Sequence, residues 1–89
     1  MTLLNIYQTT LSAGLATVST TDVQIGDTFV VSLYTPICNT RTGVISTSVY
    51  YVDQTAIVSN TSFDVNAITT LTGTIHPGDN SILSIYQYR

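Results

Sequence analysis

Thr28-Phe29-Val30-Val31-Ser32-Leu33-Tyr34 is the longest uninterrupted strand signal in the chain. Phe29, Val31 and Leu33 fall on one side of a two-residue period, and Val30, Ser32 and Tyr34 on the other. The first side is wholly apolar and is expected to lie against a core. Gly26-Asp27 turns the chain into this stretch. Pro36 closes it, because a proline fixes φ and removes a ladder donor. Read outward from here, the chain is a series of shorter strands, with this stretch as the expected organising strand.

Toward the N-terminus, Leu15 to Ser19 reads as a strand, preceded by the turn signal Ser12-Ala13-Gly14. Leu3 to Thr10 is a further strand, with residues 1–13 open to an alternative role as an arm or exchanged strand. Val23 and Ile25 share a face in a short extended segment. Toward the C-terminus, Thr35 to Gly43 reads as a loop and Val44 to Val52 as a long extended run with two mixed faces. Thr55 to Val58, Ser62 to Ile68 and Thr69 to Ile75 read as strands, with Leu71 and Ile75 available to the core. His76-Pro77-Gly78-Asp79-Asn80 is the strongest turn. Ser81 to Arg89 is the last strand, with Leu83 and Ile85 opposite Ile82, Tyr86 and Tyr88. No window shows the i, i+3, i+4, i+7 spacing of an amphipathic helix. The expectation is a single all-β domain over 1–89. About seven to nine short strands should form an antiparallel β-sandwich, jelly-roll-like rather than Ig-like.

Composition narrows the function. Only 8% of the 89 residues are charged, against about 25% in an average domain. Lys and Glu are absent. The charges are Asp22, Asp27, Asp53, Asp64, Asp79, Arg41 and Arg89. Thr, Ser, Asn and Gln must therefore fill most of the surface, and a hydroxyl is far less costly to desolvate than a charge. Such a surface suits contact with copies of the same chain, since a chain this short has a thin core of its own. A net charge of −3 and two arginines exclude phosphate-backbone binding and attraction to anionic membranes. No run approaches the roughly 20 apolar residues of a membrane-spanning helix, and the N-terminus does not read as a Sec-type signal peptide. Cys38 is alone, so no intrachain disulfide is expected.

Four stretches carry a resemblance. They are Ala16-Thr17-Val18-Ser19-Thr20-Thr21-Asp22-Val23 with Gly26-Asp27-Thr28-Phe29-Val30-Val31-Ser32, then Thr42-Gly43-Val44-Ile45-Ser46-Thr47-Ser48, then Thr61-Ser62-Phe63-Asp64-Val65, and Asp79-Asn80-Ser81-Ile82-Leu83-Ser84-Ile85. Their order and spacing resemble a small β-sandwich domain of phage and other viral structural proteins, found in fibres, spikes and capsid decorations. The likeness spans about Leu15 to Ile85. It departs from that pattern in a longer Tyr50 to Asn60 segment and in Ile85, where an aromatic is common. It implies a virion-surface or attachment role without enzymatic activity, and it supplies no binding residues.

The residues themselves offer no catalytic constellation. His76 is the single histidine and reads as a surface residue in its turn; zinc needs three or four ligands. The five aspartates form no dense cluster, and Asp79-Asn80-Ser81 reads as a turn that bonds itself rather than a calcium loop. No strand–turn–helix elbow presents a serine, and no glycine-rich phosphate loop is present. No cofactor or metal is expected. The six tyrosines are the better signal, because tyrosine combines area with a hydrogen-bonding tip. Tyr86, Tyr88, Tyr7, Leu4 and Ile6 are the expected oligomer interface. Asn39, Thr40, Arg41 and Thr42 form the expected exposed loop tip. The resulting expectation is a homo-oligomeric virion subunit, a trimer, made in the host cytoplasm and docking to other virion proteins. Two further readings are a glycan- or receptor-binding module, with Tyr50 or Tyr51 as platform, and an extracellular filament subunit built by strand donation.

Overall fold

A computed structural model of the chain describes residues 1–37 and 48–89. Among these residues there are six strands: β1 Leu3–Thr10, β2 Leu15–Ser19, β3 Thr28–Thr35, β4 Ser48–Val52, β5 Ser62–Thr69 and β6 Ile82–Tyr88. They form two three-stranded antiparallel sheets, ordered β1-β6-β3 and β2-β5-β4. The sheets face each other, β3 against β4 and β1 against β2. The protein is therefore an all-β sandwich.

The core comes from the two central strands. Phe63, Val65 and Ala67 of β5 and Leu83 and Ile85 of β6 are fully buried. Each set follows the period-two alternation of a strand with one face inward. Phe63 lies at the centre, 4.8 Å from the Phe29 ring and 5.4 Å, edge-on, from Tyr7. Leu11, Val23, Val52 and Ile57 complete the cluster.

The stretch expected to organise the fold does not occupy its middle. Among the described residues β3 is an edge strand, and β6 is flanked on both sides by β1 and β3. Phe29 and Val31 do pack on the core, but they are half-buried, and Leu33 is 40% exposed. A strand's alternation reports which face is apolar. It does not report how many neighbours the strand has.

Local chemistry overrides the strand reading in two places. Thr55 to Val58 is not a strand: Gln54–Ala56 is a 3-10 turn, capped by Asp53. The Asp53 carboxylate accepts from Thr55 N at 3.0 Å and Thr55 Oγ1 at 2.7 Å, giving the backbone an alternative to a ladder. Thr69 to Ile75 folds into a turn in which Gly73 N donates to Thr69 O at 2.8 Å and Thr69 N to Thr74 O at 2.9 Å. Only an isolated bridge from Ile68 to Ile75 survives of the expected strand, and Leu71, expected in the core, is 86% exposed.

Candidate interaction surface

The outer face of the β1-β6-β3 sheet follows from the burial of β6. Leu83, Ile85 and Gln87 point inward and are fully buried, so Ile82, Ser84, Tyr86 and Tyr88 face out. Strand register sets the neighbours of each. Leu3, Tyr88 and Thr28 form one cross-strand row, then Ile6, Tyr86 and Val30, then Gln8, Ser84 and Ser32, then Thr10, Ile82 and Thr35. None of these twelve positions is charged. Ile6 and Val30, on either side of Tyr86, are 59% and 51% exposed.

Three of the expected interface residues, Ile6, Tyr86 and Tyr88, meet on this face. Leu4 sits at a register irregularity between Leu3 and Asn5 and is half-buried. That bulge adds one residue to β1, which is why Leu3 and Ile6, three apart, share the outer face. Tyr7 lies inside: its hydroxyl donates to Gln87 Oε1 at 2.8 Å and meets Thr20 Oγ1 at 3.1 Å, and its ring packs on Phe63. It therefore packs on the core, on the face opposite its neighbour Ile6, as strand alternation requires. β1 is paired with β6 of its own chain from Leu3 to Thr10, and Thr2 and Arg89 exchange two backbone bonds beyond it. The expected loop tip, Asn39 to Thr42, lies outside the described residues, as does Cys38.

Two buried carboxylates brace this sheet at the two ends of β6. At the C-terminal end, Arg89 forks onto Asp27, Nε to Oδ1 at 2.8 Å and Nη2 to Oδ2 at 2.9 Å. Gln87 Nε2 donates to the same carboxylate at 2.8 Å and to Asp22 O at 2.6 Å, while Gln24 N reaches Asp27 Oδ2 at 3.0 Å. The Gln87 carbonyl accepts from Tyr7 and from Asn5 Nδ2. Asn5 also donates to Asp22, which lies 3.6 Å from the Arg89 guanidinium. A fully buried glutamine on a core face is thus satisfied at both ends, as burial of a polar group requires. The Arg89 fork is the main cause that lowers the Asp27 carboxyl to about 2, against the opposing effect of burial.

At the N-terminal end, Asp79 is fully buried without a cation among the described residues. Tyr50 Oη donates to Oδ2 at 2.8 Å and Ser81 N to Oδ1 at 3.0 Å. Burial pushes this carboxyl up, but the bonds from Ser81 and Tyr50 outweigh it and hold it below its ordinary value. Burial, with Asp79 beside it, pushes the Tyr50 phenol up. Ser48 Oγ is buried without a hydrogen-bond partner among the described residues.

The turn around Asp79 also corrects the reading of His76, which is 5% exposed rather than on the surface. Its Nδ1 accepts from Gly78 N at 3.2 Å, and its backbone bonds Ala67 O and Asp79 N. The Ser12–Gly14 turn lies over it. Ala13 N donates to Asn80 Oδ1 at 2.9 Å and Gly14 N to Asp79 O at 2.8 Å. Gly14 has φ +79°, and a Cβ there would stand 2.5 Å from His76 O, so only glycine fits.

Among the described residues, no three His, Cys, Asp or Glu side chains converge in a way that could hold a metal. The sequence gives Gln87 no role, and it gives Asp79 its turn but not its burial. Gln87 was legible in part, since it continues the Leu83, Ile85 face. The sequence carries no signal that Tyr50 reaches Asp79 across 29 positions. Comparison of the chain with protein-family models, curated proteins and solved structures gave no match.

Proposed function

We propose that this chain is a structural, non-enzymatic subunit of a virus particle, a decoration, spike or fibre component, acting by association with copies of itself and with other virion proteins. The observation that carries the association is the outer face of the β1-β6-β3 sheet, twelve positions without a charge, with Ile6 and Val30 exposed beside Tyr86. Rows of this kind are covered in proteins that work in assemblies. The virion assignment is supported by the resemblance of the four sequence stretches to viral β-sandwich domains.

Strand order supports a jelly-roll-like topology. Successive strands alternate between the sheets, and only β4 and β5 are neighbours both in sequence and in one sheet. In an Ig-like sandwich several consecutive strands pair within a sheet. Jelly rolls recur in viral capsid and lectin domains, a fold-level analogy only.

The test is the mass of the purified chain in solution, by light scattering across a dilution series. An oligomer whose mass falls on dilution supports the reading. A monomer at every concentration counts against self-association. A second reading, a glycan-binding module, is favoured by Tyr51, which is 38% exposed and receives Asn66 Nδ2 at 3.3 Å. An aromatic face beside an amide suits a sugar. Tyr50 is committed to Asp79 and does not share that role. Glycan binding by the isolated chain, lost in Tyr51→Ala, would favour this alternative.

A further inference from the structure

We infer that two copies of this chain join edge to edge through β1, antiparallel about a two-fold axis at Gln8. This rests on the self-association reading above and gives it a geometry. Among the described residues β1 pairs only with β6, so its other edge is open. The bonds at its two ends fix which backbone groups face that edge. Leu11 N donates to Ser81 O at 2.9 Å, and Thr2 and Arg89 exchange bonds at 2.9 and 3.0 Å. With the bulge after Leu3, antiparallel alternation then turns the N–H and C=O of Asn5, Tyr7 and Thr9 toward β6. Those of Ile6, Gln8 and Thr10 point away from the sheet.

The edges of β1, β2 and β3 are not equally available. β2 spans five residues. β3 is broken by an irregularity between Leu33 and Thr35 and is followed by Pro36. Bulges, prolines, charges and shortness are the devices that stop one edge from pairing with another. β1 spans eight residues, and its outward-facing stretch, Ile6 to Thr10, has no bulge, proline or charge. Its single irregularity lies earlier, at Leu4.

Self-pairing is the occupant that this edge fits. A two-fold at Gln8 sets Gln8 opposite the partner's Gln8 and Ile6 opposite the partner's Thr10, making about six backbone bonds. Two β-branched side chains then meet across the pair, a favourable combination. β1 has no charge, so bringing it against itself opposes no like charges; all five aspartates lie on other segments. The product is a six-stranded sheet whose outer face is continuous, each Ile6-Tyr86-Val30 row running on into the row that carries the partner's Thr10. One strand edge covers less than the roughly 800 Å² per partner of a standard interface, so dimerisation should depend on concentration. The symmetry is two-fold, in contrast to the trimer expected from the sequence.

Backbone hydrogen exchange of the wild-type chain tests this without a variant. At concentrations where light scattering gives a dimer, the amides of Ile6, Gln8 and Thr10 should slow at least tenfold relative to dilute protein. Those of Tyr7 and Thr9, already bonded to β6, should not change. A Gln8→Cys variant in a Cys38→Ser background gives a covalent readout. Paired residues at a narrow antiparallel site have Cα atoms about 5.5 Å apart, within disulfide reach. Mild oxidation should yield a covalent dimer, whereas Ser32→Cys on β3 in the same background should not. An oligomer with unprotected Ile6, Gln8 and Thr10 amides refutes the β1 edge and leaves the self-association reading intact. A chain that stays monomeric at every concentration removes both.

Discussion

Asp27 and Asp79 are both buried, yet they are held by opposite means. Asp27 has a cation, the fork of Arg89, and that guanidinium is 37% exposed. Among the described residues Asp79 has only neutral donors, Tyr50 Oη and Ser81 N, and it is fully buried. Both carboxyls are held below their ordinary value. A chain with two arginines can therefore still bury more than one carboxylate, provided that hydroxyls and backbone amides are aimed at it. The neutral cluster depends on precise geometry and little on ionic strength. The forked pair reaches solvent and is open to screening.

The sharpest way to break the comparison is Asp79→Ala. It strands the Tyr50 hydroxyl and Ser81 N–H without acceptors, and the expected loss is about 3 kcal/mol, read as a lower urea midpoint. Tyr50→Phe removes one bond to a charged group and should cost about 1.5 kcal/mol in the same measurement. If Tyr50→Phe were silent, Asp79 would be held by its own turn alone.

Asp27→Asn should cost less, about 1 kcal/mol, since solvent around the exposed guanidinium screens the pair. This variant also isolates the pH dependence. Asp27 titrates near 2 when folded and 3.8 otherwise, so the unfolded chain binds the proton first as pH falls. The stability it supplies is complete above about pH 4 and is lost as pH falls toward 2. Melting curves from pH 5 to 2 should therefore decline less steeply for Asp27→Asn than for the wild type. A parallel decline would mean that Arg89 does not hold Asp27 in solution.

The smallest effect separates the two sites by salt. Raising NaCl to about 1 M shortens the screening length to about 3 Å. It should shrink the stability difference between wild type and Asp27→Asn by about 0.3 kcal/mol and leave that of Asp79→Ala unchanged. Equal shifts would show that the two carboxylates share one electrostatic environment.

Much of the sandwich was legible because its strands alternate. Leu15 to Ser19, the Thr28 stretch, Ser62 to Ile68 and the last strand all lie within about one residue of the observed elements. The turn role of Asp79 was legible too, since its carboxylate accepts from the amide two residues on. Ile6, Tyr86 and Tyr88 share the outer face of the β1-β6-β3 sheet. Tyr7 does not, because it directly follows Ile6 and successive strand residues point to opposite faces. What the bulge moves is Leu3, which joins Ile6 on the outer face, and one added residue is invisible in a period-two pattern until the partner strand is known.

The all-β class can be read along the chain: β-branched and aromatic alternation broken by turn signals, with too few charges for a solvent-facing surface of the usual kind. Those are properties of each segment and its neighbours along the chain. Folding alone puts β6 and β5 at the centres of their sheets and, among the described residues, β3 at an edge, buries His76 and Gln87, and brings Tyr50 to Asp79 and Arg89 to Asp27. These are pairings between segments 29 and 62 positions apart. Their geometry comes from closing one sheet over the other, which no local pattern encodes.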